Sequence, residues 1–124
     1  MAGLTLDAGA LIAYERGDER IREILSVGYA RGLVPTIPAI ALAEVWRGEA
    51  KDARVARLLK ACSIETVDER LARAAGALRR RTPGSETIDA CIAAGVLRRG
   101  DAIATSDPRD MRALLGSRAV ILSV

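Results

Sequence analysis

Leu4-Thr5-Leu6-Asp7-Ala8-Gly9-Ala10-Leu11-Ile12-Ala13 sets the architecture of the chain. The apolar run Leu4 to Leu6 reads as a short buried strand. It stops at Asp7, the first charged residue, and the chain turns through small residues into an apolar helix start. In open α/β sheets, ligands gather beyond the carboxyl ends of the strands. Asp7 therefore stands where chemistry is usually done. Asp is also a preferred helix N-cap, and this stretch alone does not separate the two roles.

Strands and helices alternate outward from there. Ala8 to Tyr14 reads as a short helix broken at Glu15 to Gly17. Asp18 caps a second helix with the apolar stripe Ile21, Ile24, Leu25 and Gly28, and Gly32 ends it. Leu33-Val34-Pro35-Thr36-Ile37 reads as a second strand ending near Thr36, with Pro38 opening a helix at a first-turn position. Ile40, Ala43 and Glu44 share one face of that helix. Asp52 is expected to cap the next, where Val55, Leu58, Leu59 and Cys62 follow the helical period. Ser63 to Val67 is a third strand. Asp68 caps a helix carrying Leu71, Ala74, Ala75 and Leu78, which ends in the cations Arg79-Arg80-Arg81.

Thr82-Pro83-Gly84-Ser85 is a stop. A helix from about Glu86 to Arg99 follows, with Gly100 after its last turn. Ala102 to Thr105 is the fourth strand, Ser106-Asp107-Pro108 leads into a helix through Leu115, and Ala119 to Leu122 is the fifth strand. Such alternation predicts a parallel sheet with helices on both faces.

Composition narrows the chemistry. The 124 residues suit one domain, expected to span 1–124, and half of them are apolar. No apolar run is long enough to span a membrane. Met1-Ala2-Gly3 brings no basic region before Leu4, so no signal peptide is expected. Cys62 and Cys91 lie among apolar residues and read as reduced core thiols of a cytoplasmic protein.

Histidine is absent, which removes His-based acid–base catalysis, the Ser and Cys triads that need His, and the common zinc sets. Phe is absent too, and Tyr14, Tyr29 and Trp46 are the only aromatics, too few for a base-stacking platform. Any catalytic groups are then expected to be carboxylates, with a hard metal ion as helper. The net charge is +3, from 19 basic and 16 acidic residues. With four acids drawn into one site, the rest of the surface would be distinctly basic and would suit a polyanion. Seventeen of the 19 bases are Arg, so compositional bias accounts for the same excess.

Three acids join Asp7. Glu44 sits on a mostly apolar helix. Asp89, in Thr87-Ile88-Asp89-Ala90-Cys91-Ile92-Ala93-Ala94, has Ile92, Ala93 and Val96 at its i+3, i+4 and i+7 positions, so its carboxylate projects from a buried face. A buried charge needs a partner, and a cation is one. Asp107 follows the fourth strand as Asp7 follows the first; if those strands are neighbours, the helix acids lean over the same edge. Asp110, three residues on, is a fifth candidate. Each acid has an ordinary role open to it. Asp107 before Pro108 can be a cap, Glu44 can pair with Arg47, Asp89 can face the helix dipole or an Arg, and Asp110 can be solvated.

Four segments together resemble the PIN-domain ribonucleases, and most of all the VapC-type toxins of bacterial toxin–antitoxin pairs. They are Leu-Asp-Ala-Gly-Ala-Leu-Ile-Ala at 6–13, Pro-Ala-Ile-Ala-Leu-Ala-Glu-Val at 38–45, Thr-Ile-Asp-Ala-Cys-Ile-Ala-Ala at 87–94 and Ala-Thr-Ser-Asp-Pro-Arg-Asp-Met at 104–111. The resemblance implies a three-layer α/β/α sandwich with a five-stranded parallel sheet, and metal-dependent RNA cleavage. It also implies a small antitoxin partner and a homodimer. By motif match Asp7, Glu44, Asp89 and Asp107 would be the catalytic and metal-binding acids for Mg²⁺ or Mn²⁺. Thr105 matches the Thr or Ser that precedes the last acid, Ser106 stands beside it, and Asp110 matches a further Asp. Two positions depart: relatives often carry Asn in place of Asp107 and Phe in place of Met111.

Hydrolysis of a phosphodiester needs an activated water and neutralised charge, which carboxylate-held divalent ions supply. Arg47, Arg79 to Arg81 and Arg109 are candidates to hold the RNA backbone. Two rival readings are a housekeeping RNA-processing nuclease without antitoxin, and a non-catalytic PIN-like binding or regulatory protein. The presence of all four acids speaks against the second.

Overall fold

A computed structural model describes residues 3–124; Met1 and Ala2, where no basic leader was expected, lie outside the described residues. In chain order the elements are β1 (Leu4–Leu6), α1 (Ala8–Glu15), α2 (Glu19–Ala30), β2 (Thr36–Pro38), α3 (Ala39–Val45), a 3₁₀ turn (Ala50–Asp52), α4 (Ala53–Leu59), β3 (Ser63–Glu65), α5 (Glu69–Arg81), α6 (Thr87–Arg99), β4 (Ala102–Thr105), α7 (Pro108–Leu115) and β5 (Ile121–Ser123). The five strands form one sheet in the order β3-β2-β1-β4-β5. Every pairing is parallel.

The sheet divides the apolar side chains by the two-residue period of a strand. Leu4, Leu6, Ile37, Ala102 and Ala104 face one way, into a core completed by α1, α2 and α4. Ile103 faces the other way, into a second core with Ala41 of α3 and the buried faces of α5, α6 and α7. These are the two helical layers expected of the alternating sequence. A fully buried side chain such as Leu11 or Ile92 contributes about 1.5–3 kcal/mol by leaving water. From Ala90 to Val96 every residue of α6 is buried, because neighbouring helices cover the sides of α6 that the sheet does not. Asp89 stands where that burial begins.

Local chemistry starts the helices. Asp7, Asp18 and Asp68 each accept a hydrogen bond from the backbone N–H three residues on, at 2.9, 3.2 and 2.8 Å, a bond that typically contributes about 1 kcal/mol to a helix. Gly100 ends α6 in the left-handed region at φ 69°, where a side chain would be strained.

Several expected boundaries move. β2 runs over Thr36–Pro38 instead of 33–37, and Pro38 closes this strand as the N-cap of α3 rather than entering its first turn. Leu33 and Val34 follow the Gly32 turn and stay outside the ladder. β3 stops at Glu65, so Thr66 and Val67 lie beyond the sheet, and β5 is shifted to Ile121–Ser123. Asp52 does not cap α4 with its side chain. Its carboxylate turns back to accept from the N–H groups of Arg47, Gly48 and Glu49. Burial opposes its ionisation, but those three bonds outweigh burial and hold its carboxyl below the usual range. Both cysteines are free; Cys91 is buried and Cys62 half-buried.

Candidate active site

The central pair of strands builds the site. β1 and β4 are neighbours, with Leu6 opposite Ala104, so the acids that follow them emerge side by side at the carboxyl edge of the sheet. The Asp7 N–H still bonds to the Ala104 carbonyl at 3.3 Å, continuing the ladder one residue beyond the strand. Asp7 is only 6% exposed. It serves as the α1 cap, and the nearby Thr105 hydroxyl favours its ionised form. The same Thr105 oxygen accepts from the Asp107 N–H at 2.9 Å. One hydroxyl therefore stands between the ends of two strands. Burial pushes the Asp7 carboxyl up despite these bonds, and the charge of Glu44 adds to the rise.

α3 and α6 bring the other acids. Glu44 is exposed on α3, whose buried residues are Ala41 and Val45. It does not pair with Arg47, which turns instead to Glu15 at 3.1 Å. Asp89 lies in the first turn of α6 and is half-buried rather than fully enclosed. Its carboxyl is pushed up to about 6, first by burial and then by the charges of Asp110, Asp107, Glu44 and Asp7. Asp89 thus feels every other candidate acid. Asp107 and Asp110 are exposed, with the Asp110 N–H 3.5 Å from the Asp107 Oδ1; the neighbouring Asp107 carboxylate raises the Asp110 carboxyl, and Arg109 opposes the rise. Asp107 also caps α7, with Pro108 in the first turn.

Four carboxylates therefore act on Asp89 at this edge, and none of the five is in a salt bridge among the described residues. Like charges without a cation repel, and among the described residues no three Asp, Glu, His or Cys side chains converge to ligating distance. The donor set is all oxygen and carries net negative charge. That chemistry fits a hard divalent cation such as Mg²⁺ or Mn²⁺.

A cleft of about 230 Å³ opens beside Asp89 and Asp110, walled by Pro83, Ser85, Glu86 and Leu114 among others. The sequence marks 82–85 only as a stop, although the segment entering α6 has to pass within a turn of Asp89. Ser106 stands against α1. A Cβ at Gly9 would come within 2.7 Å of the Ser106 Cβ and 3.0 Å of its backbone N, so only glycine lets α1 and the Ser106 loop approach this closely.

The chain matches the family model of the PIN domain over residues 4–114. A search of curated proteins finds no match. Among solved structures, the fold is similar to VapBC2 from Rickettsia felis bound to a DNA fragment from their promoter, with 14% identity, 97% of each chain covered and a TM-score of 0.77. It is similar to DNA-bound VapBC from Salmonella typhimurium, with 21% identity, 99% of this chain and 98% of that chain covered and a TM-score of 0.77. It is also similar to a toxin–antitoxin complex from Klebsiella pneumoniae, with 18% identity, 98% and 97% covered and a TM-score of 0.76.

Proposed function

The chain belongs to the PIN domain family, and from that premise we propose that it is a metal-dependent endoribonuclease, a VapC-type toxin held inactive by a small cognate antitoxin. One observation carries the reading: Asp7, Glu44, Asp107 and Asp110 all act on the half-buried Asp89 carboxyl, and no basic side chain pairs with any of them among the described residues. The likeness to chains from toxin–antitoxin complexes supports the antitoxin partner. The protein acts in the cytoplasm as a homodimer of one catalytic domain spanning 1–124. Among the described residues, no helix is long and apolar enough to cross a membrane.

Asp7 and Asp89 would hold the ion most directly, Glu44 would bind it directly or through water, and Asp107 with Asp110 would serve a second ion or the outer shell. A bound Mg²⁺ or Mn²⁺ supplies an activated water and neutralises charge on the phosphodiester. The residues prepare the rest. The Thr105 hydroxyl beside Asp7 favours the ionised carboxylate, and it is itself oriented by the Asp107 N–H. Glu44, exposed and unpaired, orients the attacking water. Arg109, beside Asp110, and Arg79 to Arg81, just before the cleft segment 82–86, hold the RNA backbone. Ser106 offers a further hydroxyl to a phosphate oxygen.

Purified protein is expected to cut total cellular RNA with Mg²⁺ or Mn²⁺ and to stop when EDTA is added. Cleavage that persists in EDTA, in protein freed of contaminating nuclease, rejects metal dependence. Co-expression with the product of an adjacent small gene is expected to give a stable, inactive complex. If no neighbour binds and overproduction leaves growth unchanged, the toxin reading fails, and a housekeeping nuclease without antitoxin replaces it.

A further inference from the structure

Arg47, a candidate for RNA binding by its position, is already occupied. Its Nη1 bonds both Glu15 oxygens at 3.1 and 3.2 Å and lies 3.9 Å from Asp52. The consequence falls on the neighbouring surface. With Glu15 neutralised by Arg47, a groove of about 370 Å³ at the carboxyl end of α1 is left lined by Lys51, Arg54 and Arg57, with only Ala50, Ala53 and Glu15 beside them. The three cations recur every third residue through the 3₁₀ turn and α4, so they project along one face. None is in a salt bridge among the described residues.

Arg54 is held in place. Its Nη1 donates to the Glu15 carbonyl at 3.1 Å. Arg22 of α2 approaches the same spot: a Cβ at Gly17 would lie 2.9 Å from the Arg54 Nη1 and 3.6 Å from the Arg22 Nη2. Gly17 has a φ of 77°, so the turn takes glycine for its conformation and leaves the space between the guanidinium groups without a side chain. The nearest acid in sequence, Asp18, uses its carboxylate to cap α2, and Glu49 uses its own on the turn that follows it. The arginines therefore converge without a carboxylate between them. Held together in this way they repel, and an anion seated between them relieves the repulsion.

We propose that the Lys51–Arg54–Arg57 groove, with Arg22, is the track that binds the phosphodiester backbone of the RNA beyond the cleaved bond. This rests on the ribonuclease reading above. α1 links the two places, with Asp7 capping its first turn and Glu15 ending it, a separation of about 12 Å at 1.5 Å per residue. The phosphates on the track therefore belong to nucleotides away from the cut. A polyanion fits the groove better than a protein segment does. A protein interface seats large apolar or aromatic anchors at its centre, and the only apolar side chains lining this groove are Ala50 and Ala53.

The test is binding of labelled single-stranded RNA in EDTA, by fluorescence anisotropy over a range of KCl, with wild type and Lys51→Gln/Arg54→Gln/Arg57→Gln. Three phosphate contacts in a single strand give a slope of log K against log salt that is about 2 steeper than without them. The triple variant is therefore expected to bind at least tenfold more weakly at low salt, with a slope shallower by about 2. Lys51→Gln/Arg57→Gln keeps the Arg54–Glu15 bond, serves if the triple variant fails to fold, and is expected to lower the slope by about 1.4. Wild-type affinity and slope in a folded variant overturn the track. The same result together with loss of antitoxin binding assigns the groove to the protein partner and also overturns it. Cleavage of RNA by wild type with Mn²⁺ is scored separately: its failure rejects the ribonuclease reading, whereas the salt slope alone decides the track.

Discussion

Asp7→Asn and Asp89→Asn are each expected to lower RNA cleavage by about 10²–10³-fold, the usual cost of removing one electrostatic group from a catalytic site, while leaving the fold intact. Each substitution keeps the shape and removes one negative charge from a site where five carboxylates repel. The metal-free melting temperature of either variant should equal or exceed that of wild type. Asn also caps well, so the start of α1 is not lost with Asp7. With Mn²⁺ at one hundred times its dissociation constant, wild type should gain about 2.7 kcal/mol by mass action, and the variants should gain less. Equal gains in all three proteins would remove Asp7 and Asp89 from the ligand set.

The same variants carry a pH signature. In the folded, metal-free protein the Asp89 carboxyl is raised from 3.8 to about 6, so the folded state holds a proton that the unfolded chain releases. That contribution to stability is complete below about pH 4 and is lost as the pH rises through about 6. Asp7 is raised in the same direction. Metal-free wild type should therefore melt progressively lower from pH 4 to pH 7, and Asp89→Asn should flatten the fall. Carboxyls lowered by folding, such as Asp52, move the other way in both proteins and cancel in the comparison. A steeper fall in Asp89→Asn than in wild type contradicts the assignment.

The second large effect lies away from the site. Arg99→Met is expected to cost about 3 kcal/mol of stability, as breaking a buried ion pair usually does, and to lower the melting temperature by roughly 10 °C. Arg99 joins α6 to two strands and to the residue that leads into a third: it bonds the Thr5 hydroxyl of β1 at 2.8 Å and Asp101, just before β4, at 2.9 Å, and it contacts Glu65 of β3. Arg98 shares the Glu65 carboxylate at 2.6 Å. The side chains of Asp101 and Glu65 are 5% and 7% exposed, so removing the guanidinium leaves Asp101 with only the Thr5 hydroxyl at 2.7 Å. Thermal melts measure the loss. Arg99→Met/Asp101→Leu removes both charges and should recover part of it, because an apolar replacement of a whole buried pair is often neutral. A single variant as stable as wild type would make the network dispensable. The folded fraction of Arg99→Met should still respond to Mn²⁺, which separates this network from the acid site.

The two networks differ in how far the sequence reveals them. The acids announce themselves locally. Asp7 and Asp107 each end an apolar run, and Asp89 interrupts a helix that is otherwise buried, so pattern alone brings them to one edge once β1 and β4 are neighbours. β4 and α7 are read to the residue because Gly100 and Ser106-Asp107-Pro108 punctuate both ends. The strands β2, β3 and β5 are read less well. Their apolar runs extend beyond the sheet: Val34, Val67 and Val120 are apolar yet exposed, and only pairing with a neighbour sets where the ladder begins and stops. The Arg99 network has no local signature at all, since Thr5 and Glu65 lie 94 and 34 residues away in sequence. Arg47 illustrates the same limit. Its bond to Glu15 spans 32 residues, and only the folded chain distinguishes a free arginine from an occupied one.

The most direct measurement is a titration of purified protein with Mn²⁺ in which the free ion is followed by its electron paramagnetic resonance signal. Wild type is expected to withdraw Mn²⁺ from solution in proportion to protein, and Asp7→Asn and Asp89→Asn to leave most of it free. A wild-type protein that leaves the signal unchanged, or variants that bind the ion as tightly as wild type, would contradict a metal site at the carboxyl edge of β1 and β4.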